Sequence, residues 1–142
     1  MLSKTYSRNF DQIQAIVADT AAFFEQQDID PSLRMKVDLS LEELFVNMVQ
    51  YNTETDRDIL IEMRPIEGGL EVSLTDFDVE RFDPTLGGSV DTDAPLAERT
   101  PGGLGLFLVL KMADTIHYEY HDRQSRITFT NRVNAGETGQ DV

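Results

Sequence analysis

LSLEELFVNMVQY, residues 39–51, sets Leu41, Leu44 and Met48 at helical spacing among strong helix formers. Traced back through Val37 to Asp30-Pro31, where an aspartate can cap and a proline suits the first helical position, the pattern predicts a helix ending at about Tyr51. Leu39 and Val46 add apolar positions on its far side, so burial on more than one side is expected. Glu43 and Asn47, four residues apart, share one face.

Outward from this helix, residues 3–8 read as a short polar extended segment. Asn9 and Gln12 offer a capping-box start for a helix from about Phe10 to about Gln27, with Phe10, Ile13, Val17, Ala21 and Phe24 as its apolar stripe. Downstream, residues 57–65 and 69–76 alternate apolar with polar, and Glu67-Gly68-Gly69 supplies the turn of an antiparallel hairpin. From Asp78 to Gly103 periodicity is lost while Pro84, Gly87, Gly88, Pro95, Pro101 and Gly102 accumulate, which predicts a long loop of a kind that is functional or mobile. An apolar helix opened by glycines follows over 104–114, then a last hairpin over 115–121 and 125–133 across Asp122-Arg123-Gln124. The tail, 134–142, reads as disordered. The order β-α-α-β-β-loop-α-β-β predicts one α+β two-layer domain over 1–133, its mostly antiparallel mixed sheet covered on one face by three helices.

At 142 residues the chain is long enough to bury a core without staples. Its formal charge of −14, with no Lys/Arg run, argues against direct nucleic-acid binding, while an anionic nucleotide remains compatible if Mg²⁺ and backbone amides offset its phosphates. No cysteine is present, which excludes disulfides, thiolate metal sites and a cysteine nucleophile. The N-terminus lacks the layout of a secretory signal and no apolar run is long enough to span a bilayer, so no membrane association and a cytoplasmic location are expected.

Three constellations could carry chemistry. Flanked by Leu39 and Val46 on one side and Leu44 and Tyr51 on the other, Glu43 and Asn47 should sit at the lip of a partly desolvated cleft. There an amide oxygen can ligate Mg²⁺ and a carboxylate can act as general base, although a solvated Glu/Asn pair has the same spacing. Thr100-Pro101-Gly102-Gly103-Leu104-Gly105-Leu106 runs straight into a helix, where backbone N–H groups form an anion site. The same glycines would also serve as a hinge, and neither a dinucleotide fingerprint nor a P-loop is present. Asp76, at a strand end, can accept a hydrogen bond from an adenine amino group or simply start a turn. His117 and His121 share a strand face with no third ligand in reach, which argues against zinc.

In this order, Glu43, Asn47, Asp76, the glycine motif and Thr128 together resemble the ATP site of the gyrase, Hsp90, histidine kinase and MutL (GHKL) superfamily. The likeness covers about residues 3–133, and LSLEELFVNMVQY, RFDP and GGLGLFLVLKMADTIHYEY are most similar to the stand-alone anti-sigma-factor serine/threonine kinases. The resemblance implies the histidine-kinase-like ATPase fold, with ATP and Mg²⁺ as cofactors. It makes Asn47 the Mg²⁺ ligand, Glu43 the catalytic base and Asp76 the adenine reader, with Thr128 supporting the adenine edge. Gly102, Gly103, Gly105 and Leu106 match phosphate-binding positions, and Arg99 is a phosphate contact within a mobile ATP lid at about 78–102, chiefly 85–101.

Members of that branch phosphorylate a Ser/Thr of a small anti-anti-sigma (STAS) protein and alternatively sequester a sigma factor, often as homodimers. A histidine kinase proper would need a phosphoacceptor segment that this stretch of sequence does not supply. One departure is Asp78, where such kinases usually carry glycine; its side chain is expected to intrude near the purine, and the stretch before Phe82-Asp83-Pro84 is about one residue longer. The alternative expectation is therefore a non-catalytic protein-binding regulator with a degenerate nucleotide site.

Overall fold

The computed structural model describes residues 1–80, 109 and 111–133. Strand β1 (Leu2–Tyr6) leads to helix α1 (Gln12–Gln26), and a 3-10 turn over Pro31–Leu33 leads into helix α2 (Arg34–Tyr51). Strands β2 (Ile59–Ile66), β3 (Gly69–Phe77), β4 (Thr115–His121) and β5 (Gln124–Arg132) complete the sheet, in the order β1-β2-β3-β5-β4. Every described pairing is antiparallel, in keeping with the mostly antiparallel sheet expected and with no parallel pair among the described residues. The reason is the insertion of β5 between β3 and β4, which run the same way and never pair with each other. Of the expected third helix, residues 109, 111 and 112 are described and helical, and the Ala113 N–H donates to the Val109 carbonyl at 3.1 Å. The rest of that helix, the loop from residue 81 and the tail lie outside the described residues.

Strand side chains alternate between the two faces of a sheet, and one face here is apolar. Ile59, Ile61 and Met63 of β2, Leu70, Val72 and Leu74 of β3, and Ile127 and Phe129 of β5 form one core with Ile16, Phe23 and Phe24 of α1 and Val37, Leu41, Leu44, Phe45 and Met48 of α2. The opposite face is polar, with Arg64 and Glu71 paired across β2 and β3 at 2.7 Å. Both helices therefore cover a single face, as the two-layer reading expects.

Local chemistry moves two boundaries. Asn9 Oδ1 accepts the Asp11 N–H and the Asn9 carbonyl accepts the Gln12 N–H, both at 2.9 Å, so a turn delays α1 to Gln12 and leaves Phe10 53% exposed. The buried stripe of α1 is Ile16, Thr20, Phe23 and Phe24, rotated from the expected one. On α2, Asp30 Oδ1 caps the turn through the Ser32 N–H at 2.9 Å, but Leu39 is 42% exposed. The second buried side comes instead from Ser40, Phe45 and Asn47.

Two tight turns hold the sheet. Between β2 and β3, Gly68 takes φ +79°, and a Cβ on Gly69 would lie 1.9 Å from the Asn131 carbonyl oxygen, so a side chain cannot fit there. Between β4 and β5 the central pair is Asp122-Arg123, with Gln124 already paired to His121. Both central residues are left-handed, φ +51° and +62°, the geometry that matches strand twist in two-residue hairpins but is unusual without glycine.

Candidate functional site

On α2 the Asn47 Nδ2 group donates to the Glu43 carbonyl at 2.7 Å, one helical turn back. This bond fixes the amide and leaves Oδ1 buried, with no hydrogen-bond partner among the described residues, on a side chain only 4% exposed. Leaving a buried acceptor unpaired costs on the order of 1–3 kcal/mol, so such an atom calls for a partner, which a water or an ion can supply. A neutral oxygen of this kind suits a hard cation such as Mg²⁺. Glu43 is half-buried beside it. Burial, and then the like charge of Glu42, raise its pKa above the usual carboxylate value, toward the range useful for proton transfer.

Near the end of β3, Asp76 is fully buried. Arg8 Nη2, from the connection between β1 and α1, donates to its Oδ1 at 2.6 Å, and Asn52 Nδ2, just past the end of α2, donates to its Oδ2 at 2.6 Å. Burial pushes the Asp76 carboxyl pKa up, while Asn52 and Arg8 pull against that shift and Glu54 adds to it. At a rise of about 1.5 Å per residue, Glu43 and Asn52 stand roughly 13 Å apart along α2. Glu43, Asn47 and then Asn52 with its bound Asp76 thus follow one another in a row along the axis of α2.

Thr128 is not brought to this row. Asp76 pairs with Ser125, and Thr128 lies three residues further on, an odd step that puts it on the opposite face beside Ser73 and His117. The buried hydroxyl in register with Asp76 is that of Ser125, and because the β3–β5 register is long-range, no local sequence signal pointed to it. Arg8 and Asn52 are also part of the cluster, and no sequence spacing pointed to either.

Asp78 has φ +58°, which explains why glycine suits this position. Its carboxylate is held at the exposed end of the sheet by Arg123 Nε at 2.9 Å, instead of intruding on the Asp76 cluster. The segment leaving β3 is tied further: the Val79 N–H donates to the Arg123 carbonyl at 3.0 Å, Tyr120 Oη donates to the Val79 carbonyl at 2.8 Å, and the Glu80 N–H donates to Glu54 Oε1 at 2.9 Å. Arg99, Gly102, Gly103, Gly105 and Leu106 lie outside the described residues, as does the RFDP stretch. Among the described residues there is no cluster of three metal-type side chains, His117 and His121 included, and no helix long and apolar enough to cross a membrane.

The family model described as histidine kinase-like ATPase domain matches residues 6–131. No curated protein matches the chain. Among solved structures, the chain is similar to the RsbU and RsbW domains of Rv1364c from Mycobacterium tuberculosis, with a TM-score of 0.66 at 14% identity over 92% of this chain and 32% of that one. It is also similar to a chain of the SiaB–SiaC complex from Pseudomonas aeruginosa, with a TM-score of 0.63 at 15% identity over 92% of this chain and 89% of that one. The chain thus spans about a third of the mycobacterial chain's length, and identities this low speak to a shared fold alone.

Proposed function

The chain belongs to the histidine kinase-like ATPase domain family, and from that premise we propose that it is an ATP- and Mg²⁺-dependent serine/threonine protein kinase acting as an anti-sigma factor. Its substrate is an anti-anti-sigma STAS-domain protein, its alternative partner a sigma factor, and it works in the cytoplasm as a homodimer. The observation that carries this reading is the unpartnered Asn47 Oδ1 held one helical turn from Glu43. That one neighbour was solved within a SiaB–SiaC protein complex lends support to a protein acceptor.

In this reading Asn47 Oδ1 holds the cation, which when bound neutralises phosphate charge. Glu43 takes the proton from the incoming serine or threonine hydroxyl. The freed oxygen attacks the γ-phosphorus, and the bond to the β–γ bridging oxygen breaks as ADP leaves. Asp76 accepts from the adenine amino group. Arg99 and the glycine motif, Gly102, Gly103, Gly105 and Leu106, contact the phosphates. Ser125, in register with Asp76, takes the adenine-side place first expected of Thr128.

A second reading, a binding regulator with a degenerate site, is favoured by one observation: both Asp76 oxygens already carry internal donors. Incubation with ATP, Mg²⁺ and candidate STAS partners, followed by intact-mass measurement, separates the two. One phosphate gained on the partner supports the kinase; a stable complex without phosphate supports the regulator.

A further inference from the structure

Arg8 is drawn into the fold by a single carboxylate. Its side chain is 10% exposed; Nη2 meets Asp76 at 2.6 Å and Nε donates to the Thr55 carbonyl at 3.3 Å. Nη1 is buried with no hydrogen-bond partner among the described residues. Burying a guanidinium with one nitrogen unpaired is unfavourable, and an ion pair this deep often stabilises less than apolar packing would. Packing alone is therefore a weak reason to place an arginine here.

The groups facing Asp76 are Arg8 from the β1–α1 connection, Asn52 past α2, Glu54 beyond it, and Ser125 in register on β5. Of these only Arg8 is a cation, and a guanidinium stays charged throughout the working pH range. A carboxylate offers about four lone-pair sites, and Arg8 and Asn52 use one on each oxygen, so acceptor capacity remains for a third donor. Without Arg8, burial and Glu54 would favour the protonated acid, which carries a donor of its own.

We propose that Arg8 is a positioning residue for nucleotide choice: it keeps Asp76 an acceptor-only carboxylate, so that the site selects a purine with a 6-amino group over one with a 6-oxo group. This selection presupposes that Asp76 faces the base, as in the proposed function. Adenine presents an amino donor at that edge; hypoxanthine presents an oxygen, which an ionised carboxylate repels.

The test is calorimetric titration of the parent, Arg8→Gln and Arg8→Lys proteins with Mg-ATP and Mg-ITP as pH is varied across the neutral range. The parent should prefer ATP by a ratio that does not change with pH, and Arg8→Lys should keep that preference. In Arg8→Gln the preference should shrink about tenfold for each unit of pH below the new Asp76 pKa and return as pH rises. The ¹³C carboxyl resonance of Asp76 in the parent, followed over the same range, should stay that of an ionised group, a readout that survives even if Arg8→Gln fails to fold. An Arg8→Gln protein that keeps the parent's ratio at every pH, or weakens equally toward both nucleotides, would overturn the inference, as would a parent Asp76 that titrates in that range. A parent that binds neither nucleotide would overturn the proposed function, and the inference with it, before any variant is compared.

Discussion

Arg123 Nε lies 2.9 Å from Asp78 Oδ1, and both residues hold left-handed backbone, at φ +62° and +58°. The β4–β5 turn thereby grips the chain where it leaves β3, and it directs the Asp78 carboxylate to the surface. Left-handed geometry costs an L-residue about 1 kcal/mol, while glycine gives up about 0.5–1 kcal/mol of extra chain entropy on folding. The exposed ion pair adds little to either side. Asp78→Gly should therefore change stability by less than about 1 kcal/mol, read from the urea midpoint, and leave ATP affinity unchanged. Tighter ATP binding by the variant would mean that Asp78 does reach the base.

Gly69 and Asn131 set a harsher constraint. With a Cβ placed 1.9 Å from a backbone oxygen, no rotamer relieves the overlap, and the β2–β3 hairpin would have to separate from β5. Gly69→Ala should lower unfolding free energy by about 3 kcal/mol, at the upper end of overpacking costs. Denaturant unfolding checks this, and a loss below about 1 kcal/mol would mean that the strands part more easily than the pairing suggests.

How far the sequence alone could be read depended on the range of the interaction. Alternation and turn glycines located both hairpins, and Asp30-Pro31 located the start of the α2 segment, because those signals are local. The start of α1 was missed by two residues because the Asn9 side chain bonds two positions ahead and makes a turn instead of a capping box. At the site, the shared face of Glu43 and Asn47 follows from helix spacing, while the bond that the Asn47 amide makes to the Glu43 backbone carbonyl is a detail that spacing does not report. Thr128 was set on the wrong side of the sheet for Asp76, since its face depends on a register fixed only when β3 and β5 pair. Arg8 lies 68 residues from Asp76 in sequence, and no periodic pattern reports a contact at that range.

Asn47 carries the metal prediction. Asn47→Ala removes the unpartnered Oδ1 together with the bond to the Glu43 carbonyl, and the loss of one such bond costs about 1 kcal/mol of stability. The variant should stay folded, since the helix ladder and the neighbouring core residues Leu44 and Met48 are untouched. Its ATP affinity should no longer respond to added Mg²⁺. Calorimetry with and without the cation measures this directly; an unchanged magnesium dependence would remove Asn47 as the ligand.

Glu43 separates binding from chemistry. Its pKa is raised by burial and by Glu42, and a general base works only when ionised, so phosphoryl transfer should fall about tenfold per unit as pH drops below that raised value. Glu43→Gln keeps size and hydrogen-bonding reach but cannot take the proton. It should retain nucleotide and partner affinity while single-turnover transfer falls by about 10²–10⁴. Stability should move the other way. A carboxyl whose pKa is raised on folding stabilises the fold fully below its unfolded value, ordinarily 4.5, and loses that contribution as pH rises through the folded value. Glutamine imitates the neutral acid at every pH, so Glu43→Gln should be more stable than the parent at neutral pH, by a margin that disappears in acid. Glu42, exposed and turned about 100° round the helix, should tolerate the same change without loss of transfer. A slow Glu42→Gln beside an unimpaired Glu43→Gln would transfer the role of base to Glu42, whereas a Glu43→Gln protein that is slow yet no more stable than the parent would place its effect outside proton transfer from a desolvated carboxylate.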